Sequence, residues 1–181
     1  MTWRSPSRRL AAGLALLFLG LGAAPPAAAQ ISLGSPGDPP RLALGGGAFN
    51  VIVNTGKPNG GNATPMLWSE YRFGDVWWII SPFVGVQGTN EGAFYGYFGF
   101  AFDIHLSRHL VVTPNGAFGY FSSGHGINLG SIWEFKTGAE FAYRFDDQRR
   151  IGIGFYHISN AGIGKTDPGQ EQATLAFTVP F

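Results

Sequence analysis

The strongest constraint on the fold is a period-two alternation of apolar and polar side chains, repeated in segments of about ten residues. In residues 94–105, Phe94 and Phe98 fall on one face, while Tyr95 and Asp103 fall on the other. Successive side chains of a strand point to opposite sides, so these segments predict strands with one apolar face. Clusters of Gly, Asn, Asp, Ser and Pro separate the segments. The combination favours an all-β chain built from hairpins.

The N-terminus has the features of an export signal. Three arginines precede an apolar run over residues 10–24, and small residues suited to cleavage end at position 29. The run is shorter than the ~20 residues of a spanning helix. We therefore predict a signal peptide at 1–29 and one mature domain at 30–181. Without the leader, nine basic and eleven acidic residues remain, which excludes the basic patch that nucleic-acid binding needs.

The length of the mature domain limits the number of strands. Eight strands of about ten residues use about 80 positions, whereas the roughly sixteen strands of a porin would use more than the 152 residues available. We therefore predict an eight-stranded, antiparallel, up-and-down transmembrane β-barrel of the outer-membrane type. Its strands are predicted near residues 42–53, 64–73, 76–88, 93–105, 109–121, 131–144, 150–159 and 171–181.

The orientation of the two faces separates a membrane barrel from a soluble one. A lipocalin-like barrel would hold its apolar side chains inside. In the predicted sixth strand, however, Glu134, Lys136 and Glu140 alternate with aromatic rings. Such charges are costly against lipid but can pair across a narrow lumen. Aromatic residues near the strand ends and a terminal Phe181 also favour a membrane barrel, so we predict that the apolar face points outward.

Three polar residues interrupt this predicted lipid-facing surface. His157 and Ser159 continue the face of Ile153 and Phe155, and Glu171 has the parity of the apolar residues of the last strand. Residues two apart in a strand have Cα atoms roughly 7 Å apart, which lets an imidazole reach a hydroxyl. A nucleophile, a base and an orienting acid are the components of a serine hydrolase. The alternative is a set of polar residues at headgroup level that perform no chemistry.

The segment from His157 to Gly162 reads H-I-S-N-A-G, and Glu171 follows twelve residues after Ser159. This motif resembles the lipid A 3-O-deacylase (PagL) family of Gram-negative outer membranes. The resemblance implies that His157 is the general base, Ser159 the nucleophile and Glu171 the orienting acid. It also implies an oxyanion hole formed by Asn160 and the backbone amide of Gly162.

The activity implied by the resemblance is hydrolysis of the 3-O-linked acyl chain of lipid A in lipopolysaccharide, with release of a 3-hydroxy fatty acid and no cofactor. The implied partners are lipid A of the outer leaflet and membrane lipids, and the implied location is the Gram-negative outer membrane. The sequence leaves open whether the protein forms a homodimer.

Other functions stay open from the residues alone. An outer-membrane phospholipase would use the same Ser and His, and a small structural or adhesion barrel would need neither. A lipid A palmitoyltransferase would place its polar groups inside the barrel, where Asp103, His105 and Tyr95 share a face. The chain has no cysteine, and its histidines lack a ligand spacing, so the sequence predicts no metal site.

Overall fold

The computed structural model describes residues 31–34, 37–52, 62–74, 76 and 78–181, and the predicted signal peptide lies outside them. Among the described residues, no helix is long and apolar enough to cross a membrane. Eight long strands make up most of the structure. They are β1 (Arg41–Phe49), β2 (Thr64–Arg72), β3 (Ser81–Thr89), β4 (Phe94–Ala101), β5 (Leu110–Ser122), β6 (Trp133–Arg144), β7 (Arg150–Ser159) and β8 (Gln170–Pro180).

The eight strands close into a barrel. Each pairs antiparallel with the next along the chain, and β8 pairs with β1 through registers such as Phe177 opposite Leu44. This confirms the predicted eight-stranded antiparallel barrel. We call the end where β1 ends and β2 begins, which also holds the connections 90–93, 123–132 and 160–169, the loop end. The opposite end, where β1 begins and β8 ends, is the terminal end; there Ser32–Leu33 pairs with Ile104–His105.

The apolar face of the strands points outward, as predicted. In β7, Ile151, Ile153 and Phe155 are exposed, whereas Tyr156 and Ile158 are buried. The same alternation runs through the other long strands, so a belt of apolar side chains surrounds the closed sheet. A soluble barrel would show the reverse arrangement. A closed sheet with an apolar exterior leaves no unpaired strand edge and suits a lipid environment.

Charged side chains fill the lumen and pair across it. Arg72 lies 2.9 Å from Glu70 and 2.8 Å from Glu140, and the Lys136 ammonium lies 3.0 Å from Glu70. The Tyr97 hydroxyl donates to the same Glu70 carboxylate at 2.9 Å. All five side chains are buried. The predicted pairing of lumenal charges is therefore present, and the interior is a packed network.

Removing Arg72 should destabilise the barrel strongly. An Arg72→Met variant leaves Glu140 buried without its cation and removes one of two cations from Glu70, at an expected cost of about 3–5 kcal/mol in the free energy of unfolding. Urea unfolding in detergent micelles, followed by tryptophan fluorescence, measures the change. The control is Arg108→Met, because the ion pair of Arg108 with Asp146 is exposed and contributes at most about 1 kcal/mol. Equal stability of both variants would contradict the structural role of the network.

Three strand ends differ from the prediction by four or five residues. The predicted fourth strand, 93–105, is observed as β4, Phe94–Ala101, and a separate two-residue strand, Ile104–His105. At the other two ends, single residues adopt left-handed backbone angles. β1 ends at Phe49, since Asn50 has φ = 58°; position 53, where the strand was predicted to end, lies outside the described residues. β3 begins at Ser81 and not near residue 76, because Trp78 has φ = 59° within a turn. An extended strand cannot continue through such angles.

Candidate active site

The β7–β8 hairpin brings His157 and Glu171 together on the outside of the barrel. The two residues are direct register partners, and His157 Nδ1 lies 3.3 Å from Glu171 Oε1. The side chains are 46% and 27% exposed, respectively. They lie at the loop end, where β7 ends and β8 begins. The predicted contact between these two residues is therefore present on the outward face.

This contact favours one tautomer of the neutral imidazole. An ionised carboxylate only accepts hydrogen bonds, so the Nδ1–H of His157 donates to Glu171. In the neutral ring, Nε2 then carries the free lone pair. The Glu171 carboxylate thus orients the ring and leaves its second nitrogen able to accept a proton.

Ser159 lies on the same outward face, two residues beyond His157 in the last position of β7. The residue between them, Ile158, points into the lumen and is fully buried. Across the sheet, Ser159 is opposite Phe135. Within the described part of the chain, no hydrogen bond joins Ser159 to His157. A rotation of the two side chains is needed to join them, over a Cα separation of roughly 7 Å.

Asn160 is the hydrogen-bonding centre of the loop that follows β7. It is fully buried, and its Nδ2 donates to the carbonyl oxygens of Leu129 at 2.7 Å and Thr166 at 2.8 Å. Its Oδ1 accepts from the backbone amides of Gly162 and Gly164. Both Nδ2 hydrogens are used in these contacts, so in this arrangement the side chain holds the loop and has no hydrogen left for an oxyanion.

The backbone amide of Gly162 also has partners within the loop. It donates to Asn160 Oδ1 and to Asp167 Oδ2, each at 3.0 Å. The other oxygen of Asp167 accepts from the backbone amide of Asn160 at 3.1 Å. Gly162 is exposed and has φ = 77°. The two residues predicted to form the oxyanion hole therefore lie in the loop that follows Ser159, and the contacts of Asn160 and Asp167 hold that loop.

Gly169 packs against the imidazole of His157. A Cβ atom at this position would lie 2.8 Å from Cε1 and 3.4 Å from Nε2 of His157, and Gly169 has φ = 61°. Only glycine combines this backbone angle with space for the ring. Sequence reasoning missed Gly169 and Asp167, because neither belongs to a periodic segment. The signal available was their position in the 160–169 loop that joins the two strands of the site.

The polar residues considered for a palmitoyltransferase lie inside the barrel and do not meet at one place. Tyr95 is buried near the loop end, where its hydroxyl donates to the backbone oxygen of Glu134 at 2.8 Å. Asp103 is buried toward the terminal end, with its carboxylate 2.7 Å from Arg150. Tyr95 and Asp103 are eight residues apart in sequence, about 26 Å along an extended chain. Tyr95, Asp103 and His105 therefore do not form one site.

In the described ranges, no three His, Asp or Glu side chains lie close enough together to hold a metal ion. The arrangement on the outward face instead supplies a hydroxyl, an imidazole and a carboxylate at the lipid boundary. The fold is thus that of an outer-membrane-type β-barrel, and three polar residues, His157, Ser159 and Glu171, lie on its outward face near the loop end.

Comparison with known proteins gives the family. The family model for lipid A 3-O-deacylase (PagL) matches residues 46–180. The chain belongs to the lipid A 3-O-deacylase (PagL) family. A search of curated proteins found no match.

Two solved structures share the fold. The crystal structure of the outer membrane enzyme PagL is 20% identical, with a TM-score of 0.56, and the alignment covers 78% of this chain and 99% of that one. A de novo designed transmembrane β-barrel is 14% identical, with a TM-score of 0.51, over 77% of this chain and 95% of the other.

Proposed function

We propose that this protein is an outer-membrane serine esterase that removes the 3-O-linked acyl chain of lipid A and releases a 3-hydroxy fatty acid. The observation that carries the proposal is the contact between His157 and Glu171, with Ser159 on the same lipid-facing wall. Membership of the lipid A 3-O-deacylase family supports the same substrate. The proposed catalytic residues are Ser159, His157 and Glu171.

The reaction proceeds in two half-reactions. In the first, Ser159 Oγ attacks the ester carbonyl while His157 Nε2 takes the hydroxyl proton, and the imidazolium is stabilised by Glu171. Collapse of the tetrahedral intermediate breaks the bond to the 3-oxygen of the sugar, which receives the proton from His157. In the second, water attacks the acyl-enzyme with His157 as the base, and the free fatty acid leaves as Ser159 regains its proton.

The tetrahedral intermediate needs hydrogen-bond donors for its oxyanion. Of the two residues predicted to form the oxyanion hole, Asn160 and Gly162, we propose the Gly162 amide as the donor and Asn160 as the residue that positions it. Gly162 would exchange its acceptors Asn160 and Asp167 for the substrate oxygen. Asn160 would hold the loop in place through its contacts with the carbonyls of Leu129 and Thr166.

The placement of the site suits a lipid substrate. The acyl ester of lipid A lies at the boundary between sugar and hydrocarbon, and a site on the outer wall is open to substrate diffusing in the leaflet. With the loop end outside the cell, as in bacterial barrels with short periplasmic turns, the site faces the outer leaflet. We also propose that a signal peptide at 1–29 directs the export of the protein.

Mass spectrometry of lipids incubated with the purified protein in detergent micelles tests the proposed function. Lipid A should lose one 3-hydroxyacyl group, while glycerophospholipid in the same micelles stays intact. Loss of glycerophospholipid chains would instead identify a phospholipase, and a gain of mass by lipid A would identify acyl transfer. If neither lipid changes, the esterase proposal is wrong.

Gly169→Ala should lower the deacylation rate about 10²-fold, because the new Cβ displaces the His157 ring by about an ångström. The rate of fatty-acid release in micelles measures the effect, and heat-modified electrophoretic mobility reports whether the barrel has folded. Gly92→Ala is the matched control: Gly92 has φ = 79° in another loop, and its added Cβ would meet nothing within 4 Å. Similar losses in both variants would point to backbone strain and not to the imidazole.

A further inference from the structure

A polar groove lies at the loop end of the barrel, between the last residues of β5 and the chain that returns to β6. Its volume is about 460 Å³. Every residue of its lining is described, and none of them is charged. The side chains that face it are mostly hydroxyl and amide groups, with larger apolar groups at the edges: Tyr120, Ser122, Ser123, Asn128, Ser131 and Ile132. The groove therefore differs in chemistry from the apolar belt of the barrel.

The polar groove lies close to the candidate active site. Ser159 is opposite Phe135 of β6. Trp133, two residues nearer the loop end of β6, is opposite Tyr120 at the edge of the groove. With strands about 4.8 Å apart and about 7 Å between alternate residues, Tyr120 lies about 12 Å from Ser159. One molecule the size of a lipid head group can therefore contact the groove while its ester lies at Ser159.

The loop that forms one wall of the groove packs against the loop that follows Ser159. Gly130 lies so close to Thr166 that an added Cβ would overlap the Thr166 oxygen. The Asn160 side chain joins the same two loops, because its Nδ2 donates to the carbonyl oxygens of Leu129 and Thr166. The position of the groove is therefore fixed relative to the proposed nucleophile.

Two polar side chains of the groove are held in place by backbone contacts. Asn128 Oδ1 accepts from the backbone amide of Gly130 at 2.8 Å, and Ser131 Oγ accepts from that of Trp133 at 3.0 Å. These contacts use oxygen atoms as acceptors, so they involve neither the Nδ2 hydrogens of Asn128 nor the hydroxyl hydrogen of Ser131. Ser122 adds an exposed hydroxyl at the end of β5. The groove thus presents oriented, uncharged hydrogen-bonding groups.

Aromatic rings form the edge of the groove nearest the site. Tyr120 is 45% exposed and meets Trp133 edge to face, with ring centroids 6.3 Å apart. Trp133 is stacked on Phe118 at 5.5 Å, which restricts its orientation. A sugar ring has an apolar C–H face that packs on such rings and hydroxyl groups that bond to neutral polar side chains. A phosphate group would favour Arg or Lys, which the lining lacks.

We propose that the polar groove binds the sugar head group of lipid A and holds it while the 3-O-linked ester lies at Ser159. The inference rests on the proposed esterase function. A sugar bound in the groove restricts the position of its 3-oxygen, and so of the ester carbonyl, relative to the nucleophile. A glycerophospholipid has no sugar ring to fill the groove. Selectivity for lipid A therefore comes from the 123–132 loop as well as from the three proposed catalytic residues.

Two variants of the groove test the proposal. Ser122→Leu fills the groove from β5, and Asn128→Ala removes an amide from the loop. In detergent micelles, with lipid A that lacks core sugars as the substrate, Asn128→Ala should raise KM about fivefold, as expected for one lost hydrogen bond. Ser122→Leu should raise KM at least as much. The kcat should stay unchanged in both, because the lost contact is made equally in the bound substrate and the transition state.

A reagent without a sugar separates binding from damage to the active site. A lipid-soluble fluorophosphonate should label Ser159 at the wild-type rate in both variants, since it makes no use of the groove. The matched controls are Ser69→Leu, on the outward face of β2, and Asn90→Ala, at an exposed position between β3 and β4. Neither residue lines the groove, and both variants should keep the wild-type KM.

The outcomes distinguish the groove from the esterase. An unchanged KM in folded Ser122→Leu and Asn128→Ala proteins would overturn the binding proposal and leave the esterase function intact. A parallel fall in kcat and in the labelling rate would also overturn it, because the loop would then support the catalytic geometry and not the sugar. A wild-type protein that neither deacylates lipid A nor reacts with the fluorophosphonate would overturn the esterase function itself.

Discussion

Ser159→Ala is expected to lower the rate of lipid A deacylation by at least about 10³-fold. Without the hydroxyl no acyl-enzyme forms, and the remaining rate comes only from binding and oxyanion stabilisation. Ser159 lies at the last position of β7 with its side chain outward, so its truncation removes no lumenal contact. Quantitative mass spectrometry of lipid A over time gives the rate, and electrophoretic mobility before and after heating shows that the barrel is folded.

The control for this variant is Ser69→Ala. Ser69 also faces outward, on β2, opposite Leu44 of β1 and Val86 of β3. It should keep the wild-type rate, because it is three strands away from β7 around the closed sheet. A Ser159→Ala protein that still deacylates lipid A at the wild-type rate would exclude a nucleophilic role for Ser159.

Glu171→Gln is expected to lower the same rate about 10³-fold. The neutral amide does not stabilise the imidazolium. It also does not select the Nδ1–H form of His157, because its NH2 group can donate to an unprotonated Nδ1. The loss should be smaller than for a fully buried acid, because the Glu171 side chain is 27% exposed and water screens part of its charge. Initial rates in micelles measure the effect.

A double variant distinguishes a catalytic from a structural role for Glu171. If Glu171 acts through His157 on Ser159, the Glu171→Gln/Ser159→Ala protein should be no slower than Ser159→Ala alone, because residues of one catalytic unit are not additive. Multiplied losses in the double variant would mean that Glu171 contributes by another route.

Most of the fold follows from the alternation of side chains. β7 was predicted at its observed bounds, Arg150–Ser159, because an unbroken apolar face runs from Ile151 to Phe155 with small or lumenal residues between. The ends of β1 and β3 were not predicted, since φ values of 58° at Asn50 and 59° at Trp78 depend on local turns that leave no periodic trace.

The contacts of the candidate site were also predictable only in part. The contact of His157 with Glu171 was predictable, because strand parity places both on the outward face and one loop joins their two strands. The contacts of Asn160 with Leu129 and Thr166 join two loops, and no pattern within either loop encodes their approach.

Labelling with a lipid-soluble fluorophosphonate, followed by peptide mapping, tests most directly whether the outward-facing hydroxyl is the nucleophile. We expect one label, on Ser159, with deacylation of lipid A lost in proportion to the labelled fraction. The His157→Asn protein should react far more slowly, because its serine lacks the base that activates it. Full deacylation by protein labelled at Ser159, or inactivation with the label on a different residue, would contradict this mechanism.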